Sequence, residues 1–83
     1  MMKRVEISAL TRREKELIVD EANFNEDQLA IFNALNANRY CDFAIMAQIG
    51  LPTHKYYDIK GVVCMKVERI ATEHGLTHVL RRK

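Results

Sequence analysis

The sequence predicts a single all-α domain, compact and built from four to five helices. Three observations lead there. Helix-start signals recur at Thr11, Asn25 and Thr53. Behind each, apolar residues fall three and four positions apart, the spacing that gathers them on one face of a helix. A chain of 83 residues with 48% hydrophobic and 29% charged side chains also has the size and balance of one small folded unit.

Thr11-Arg12-Arg13-Glu14 has the form of a capping box, in which the threonine hydroxyl takes the amide of Glu14 and the carboxylate reaches back. It opens a helix to about Ala22, with Leu17, Ile18 and Ala22 inward. Asn25 and Gln28 form a second box, with Glu26 and Asp27 suiting the helix dipole. Phe24 and Leu29 stand as a hydrophobic staple. Leu29, Phe32 and Leu35 mark the buried face, and Asn36-Ala37-Asn38 reads as a frayed end. A short helix from about Cys41 to Ile49 offers Phe43, Ile45, Met46 and Ile49 as apolar positions, with Asp42 or a neighbour as cap. Gly50 ends it, as glycine commonly does just beyond a helix. Thr53 then caps a fourth helix beginning at His54, with Tyr56, Ile59, Val63, Val67 and Ile70 as its buried stripe. The β-branched run from Ile59 to Val67 also suits a strand, but the cap and the stripe favour a helix ending before Gly75. Residues 76–83 read as a flexible basic tail, with Val79 and Leu80 available to pack back.

Composition narrows the class. No stretch approaches the ~18–20 apolar residues that span a bilayer, and Met1 to Glu6 lacks the apolar run of a secretory signal. A cytoplasmic protein with no membrane partner is expected. Two cysteines, Cys41 and Cys64, are too few for a disulfide scaffold and read as reduced, small, mostly buried side chains. The net charge is only +2, but it is unevenly placed. Residues 20–42 carry one basic and five acidic side chains, whereas residues 53–83 carry seven basic and three acidic, ending Arg81-Arg82-Lys83. A basic end can supply the phosphate contacts that dominate affinity for nucleic acid.

The spacing of Ile45, Ile49, Gly50, Leu51, Tyr56 and Ile59 is that of a helix-turn-helix, at about 42–70. Such a motif needs a short first helix, a glycine where the chain turns left-handed, an apolar residue pinning the turn, and a second helix that buries one face while presenting the other. With Leu10-Thr11-Arg12-Arg13-Glu14 ahead of it and Phe24 to Leu35 between, the order resembles bacterial sigma-factor region four and the related output domains of response regulators. In particular the chain resembles the small stand-alone bacterial and phage proteins of that type, over most of residues 10–70. The resemblance implies a DNA-binding regulator of transcription. Met46 departs from the small residue usual at its position, and Pro52 is atypical in the turn.

His54, Lys55, Tyr57 and Lys60 are the candidate contacts to double-stranded DNA, the lysines to phosphates and the other two to phosphates or base edges. Arg12 and Arg13, at a helix start, add backbone contacts. The second helix is poor in the Arg, Asn and Gln that read base edges. Val62 and Met65 on its outer face suggest cover by the tail or by a second subunit, and are the candidate interface. The expected function is a small DNA-binding regulator acting as a homodimer. The alternative is a protein-interaction or dimerisation module on the same scaffold.

Other chemistries find little footing. His74 and His78 with Cys41 and Cys64 make a poor zinc set, because Gly75 breaks the helix between the histidines and no cysteine pair has ligand spacing. Cys64 lies among apolar neighbours, which keep a thiol protonated. Glu14, Glu16, Asp20 and Glu21 read as a solvated face, not a paired-carboxylate cleft. No phosphate-cradling glycine loop is present. No enzymatic activity, metal, cofactor or small-molecule substrate is expected.

Overall fold

The computed structural model describes residues 3–37 and 41–82. Four α-helices make up most of it: α1 (Arg12–Ala22), α2 (Glu26–Ala37), α3 (Asp42–Ile49) and α4 (Thr53–Glu73). Two 3-10 turns, Ile7–Ala9 and Thr77–Val79, flank them. At the ends, β1 (Lys3–Val5) and β2 (Leu80–Arg82) pair antiparallel, with Lys3 opposite Arg82 and Val5 opposite Leu80. The tail is therefore tied down where the sequence suggested flexibility, and the class is helical with a short ribbon added. The ribbon forms because Val79 is fully buried and its carbonyl accepts the Glu6 amide at 2.8 Å, which fixes the register of β2 against β1. Arg81 and Arg82 fall in this ribbon, but their side chains, like Lys83, lie outside the described residues.

The helix starts divide into two kinds. At α1 the capping box is complete, the Thr11 amide donating to Glu14 Oε1 at 2.9 Å and the Glu14 amide to Thr11 Oγ1 at 3.3 Å. Asn25 and Gln28 exchange the same pair of bonds ahead of α2. At α3 and α4 no side chain caps the helix: the cap positions are Cys41 and Pro52, and Thr53 is already helical. Pro52, with φ at -68°, leads the chain into α4, and the amides of its first turn are left without a side-chain cap. Asp42 likewise is the first residue of α3, not its cap.

Helix ends use left-handed residues. The Met46 carbonyl accepts from both Gly50 and Leu51 (2.8 and 3.2 Å), with Gly50 at φ 81°. After α4, Leu76 donates to the Ala71 carbonyl and Gly75 to that of Thr72, which closes the helix and folds Leu76 onto the core. The end of α2 is held, not frayed: Asn36 Nδ2 donates to the Ile7 carbonyl at 3.0 Å. Asn38 lies outside the described residues.

One helix joins the core. The larger cluster gathers Ile7, Leu10, Ile18, Ala22, Phe32 and Val79 around Val63, Val67, Ile70 and Ala71 of α4. The smaller one gathers Ile31, Ile45 and Met46 around Tyr56, on the first turn of α4. Leu35 and Ile59 touch both. The run from Ile59 to Val67 is helical throughout, and the three-four stripe is the buried face. Met46 fills the smaller cluster with its flexible thioether, where the resemblance implied a smaller residue. Phe43 is a correction: it is 76% exposed, because Ile45 and Met46 take the inner face of so short a helix. Among the described residues no helix is long and apolar enough to cross a membrane.

Two glycines separate backbone strain from helix propensity. Gly50→Ala should lower stability by about 1–2 kcal/mol, since a Cβ is unfavourable at positive φ even with open space around it. Gly61→Ala, inside α4 with nothing within 4 Å of the new Cβ, should raise it by about 1 kcal/mol. Urea unfolding at low micromolar protein reads both signs.

Candidate nucleic-acid interface

The corner where α3 turns into α4 is organised by one carboxylate. Tyr56 is fully buried, and a buried phenol needs a partner for its hydroxyl. It donates to Asp42 Oδ1 at 2.7 Å. Lys60, one turn further along α4, reaches the same oxygen at 3.0 Å. The Tyr57 hydroxyl approaches Oδ2 at 3.4 Å, and Lys60 Nζ stands 5.7 Å from the centre of the Tyr57 ring. The start of α3 is thus bolted to the first two turns of α4 through three side chains at spacing 56, 57 and 60. The hydrogen bond from Tyr56, together with that from Lys60, holds the Asp42 carboxyl below its ordinary range against the opposing effect of burial. Burial and the same carboxylate push the Tyr56 phenol up, so it stays a donor.

Around that bolt the expected contacts divide. His54 and Lys55 are exposed, ahead of the inward Tyr56. Tyr57 is 46% exposed, its ring edge-on to that of Tyr56 at 5.1 Å. Lys60 is a correction: it is half-buried and paired with Asp42, so its charge is already answered within the chain. Arg12 and Arg13 are exposed at the start of α1. Arg12 lines an open groove of about 480 Å³ whose walls, including Lys15, Glu16, Asp20 and Leu29, come from α1 and α2 alone. The groove does not include the α3–α4 corner. Val62 and Met65 remain 38% and 68% exposed, and Leu76, Val79 and Leu80 of the tail pack instead on the buried side of α4.

Residue types alone did not single out Asp42 as the organiser. A signal was there: a tyrosine on a buried stripe demands a hydroxyl partner, and Asp42 opens the neighbouring helix.

The remaining titratable groups are dispersed. His78 Nε2 lies 2.9 Å from Glu14 Oε1, and His74 pairs with Glu21, so the two histidines go to separate carboxylates of α1. The Thr11 amide, with help from His78, holds the Glu14 carboxyl below its usual value. Cys41 is exposed, against the expectation of burial. Cys64 is half-buried, and desolvation pushes its thiol up, away from the reactive thiolate. Among the described residues no three His, Cys, Asp or Glu side chains converge as a metal site.

Compared with known proteins, the chain matches no family model, no curated protein and no solved structure.

Asp42→Asn should cost about 1–3 kcal/mol at pH 7, because it removes the charge that Lys60 and Tyr56 answer. The sign with pH comes from the lowered carboxyl. Its contribution is fully present above the ordinary value of 3.8 and is lost as pH falls through the lower folded value. Urea midpoints of wild type and variant should therefore converge on acidification below that value. A gap that stays constant with pH would assign the loss to shape rather than charge.

Proposed function

We propose that the chain binds double-stranded DNA, with α3, the Gly50 turn and α4 acting as a helix-turn-helix and the start of α4 entering the major groove. The observation that carries this reading is the alternation at that start: Tyr56 is fully buried and locked to Asp42, while Thr53, His54, Lys55 and Asp58 around it are exposed. Recognition helices of this kind contact bases with their N-terminal residues. The rest of α4, from Val63 to Ala71, is committed to the core and supports that end as a rigid element. The first turn of α4 carries no acidic residue and no side-chain cap, so its free amides favour phosphate oxygens. Lys55 serves a phosphate, and His54 and Tyr57 reach phosphates or base edges. Arg12 and Arg13 are outlying backbone contacts. The order of elements resembling sigma-factor region four supports a role in regulating transcription in the cytoplasm of a bacterium or in a phage-infected cell.

A second reading is favoured by a specific observation. Among the described residues Phe43 and Met65 are the two most exposed large apolar side chains, on α3 and α4 respectively. Such residues suit a protein-interaction module on the same scaffold.

Fluorescence anisotropy on labelled random duplex at about 50 and 200 mM salt separates the two readings. DNA binding predicts affinity that falls steeply with salt. Lys55→Glu should weaken it about ten-fold and reduce the salt slope by about one. Lys60→Glu is a poor probe, since it sets a second carboxylate against Asp42. Salt-dependent binding that Lys55→Glu leaves unchanged removes α4 from the interface. A flat signal transfers the weight to the protein-interaction reading.

A further inference from the structure

The outer face of α4 carries a pattern that the core does not use and that shares with the proposed duplex contact only its first residue, Lys55, with Asp58 beside it. Lys55, Asp58, Val62, Met65, Arg69 and Thr72 succeed one another at alternating steps of three and four, which lines them up along one side of the helix. All six are exposed. Neither Asp58 nor Arg69 takes part in an ion pair among the described residues. The line reads basic, acidic, apolar, apolar, basic, neutral, and its centre falls between Val62 and Met65.

Such a line is complementary to itself when turned end for end. An antiparallel copy sets Val62 against the other chain's Met65, and Asp58 against the other chain's Arg69, twice by symmetry. A parallel copy would set Asp58 on Asp58 and Arg69 on Arg69, which repels at both ends of the apolar centre. Gly61 stands beside the line, and a Cβ there would meet nothing within 4 Å, so bare backbone leaves room for a second helix to approach.

We propose that a second copy of this chain docks antiparallel on the outer face of α4, with Val62 and Met65 at its centre and Asp58–Arg69 ion pairs at both ends. The assignment does not depend on DNA binding, because assembly is read without nucleic acid; of the proposed duplex contacts on α4 only Lys55 lies on this line, outside the Asp58–Arg69 pairs. Three helical turns bury less than the ~1,200 Å² of a standard interface, so the dimer is weak and forms at high protein concentration.

Sedimentation equilibrium of the full chain up to about 200 µM tests it, a range set by so small an interface. A reversible monomer–dimer equilibrium is expected. Asp58→Arg and Arg69→Asp, each creating two like-charge contacts, should each raise the dimer Kd at least about ten-fold. The double variant D58R/R69D should bring it back near wild type, and Met65→Asp should abolish it. Asp58→Asn and Arg69→Gln, which only neutralise, should show smaller losses. All these side chains are exposed, and an unchanged helical circular dichroism spectrum checks the fold. A chain monomeric throughout, a dimer indifferent to either single reversal, or a double variant that fails to recover would each overturn the proposal.

Discussion

The fold rests on the commitment of α4 to two apolar clusters at once. Its stripe from Val63 to Ala71 completes the larger cluster, while Tyr56, two turns earlier, plugs the smaller one. A 21-residue helix is about 31 Å long, close to the 34 Å longest extent of the molecule, so it can reach both. The cost of that reach is a phenol hydroxyl carried into the interior. Asp42 removes the cost, and in doing so ties α3 to α4 at a defined place. Remove the carboxylate and the smaller cluster keeps its apolar contacts but loses the bond that orients it.

The same arrangement decides what α4 can offer outward. A helix buried along one stripe has the opposite side free, and here that side changes character along its length. The first turn shows His54 and Lys55 to solvent; the middle shows Val62 and Met65 between charges of opposite sign. Lys60 stands near the boundary of the buried face and is drawn inward to Asp42.

The helices were legible because their signals are local. Capping boxes involve residues three apart, and amphipathic spacing is read within a window of a dozen residues, so Thr11–Glu14, Asn25–Gln28 and the α4 stripe could all be read directly. The hidden features depend on distant neighbours. The pairing of the chain ends joins residues with no local pattern in common, and three residues per strand are too few to show alternation. The outward turn of Phe43 depends on which face of a two-turn helix wins the contact with α2, and the diversion of Lys60 on a carboxylate 18 positions earlier. The proposed duplex contacts are of the same kind. Residue types nominated them, yet only tertiary pairing distinguishes a free lysine from one already answered.

The ribbon at the chain ends has a kinetic meaning. It closes a loop of nearly the whole chain, an entropic cost on the order of 4 kcal/mol, and three residue pairs alone do not repay it. Helices with local contacts form early, whereas contacts between the ends must wait until the helices have brought them near. On this ground the ribbon is expected to assemble last and to open first. Its parting would release the Glu6–Val79 hydrogen bond and loosen the two 3-10 turns beside it before the packing of α1 to α4 is touched.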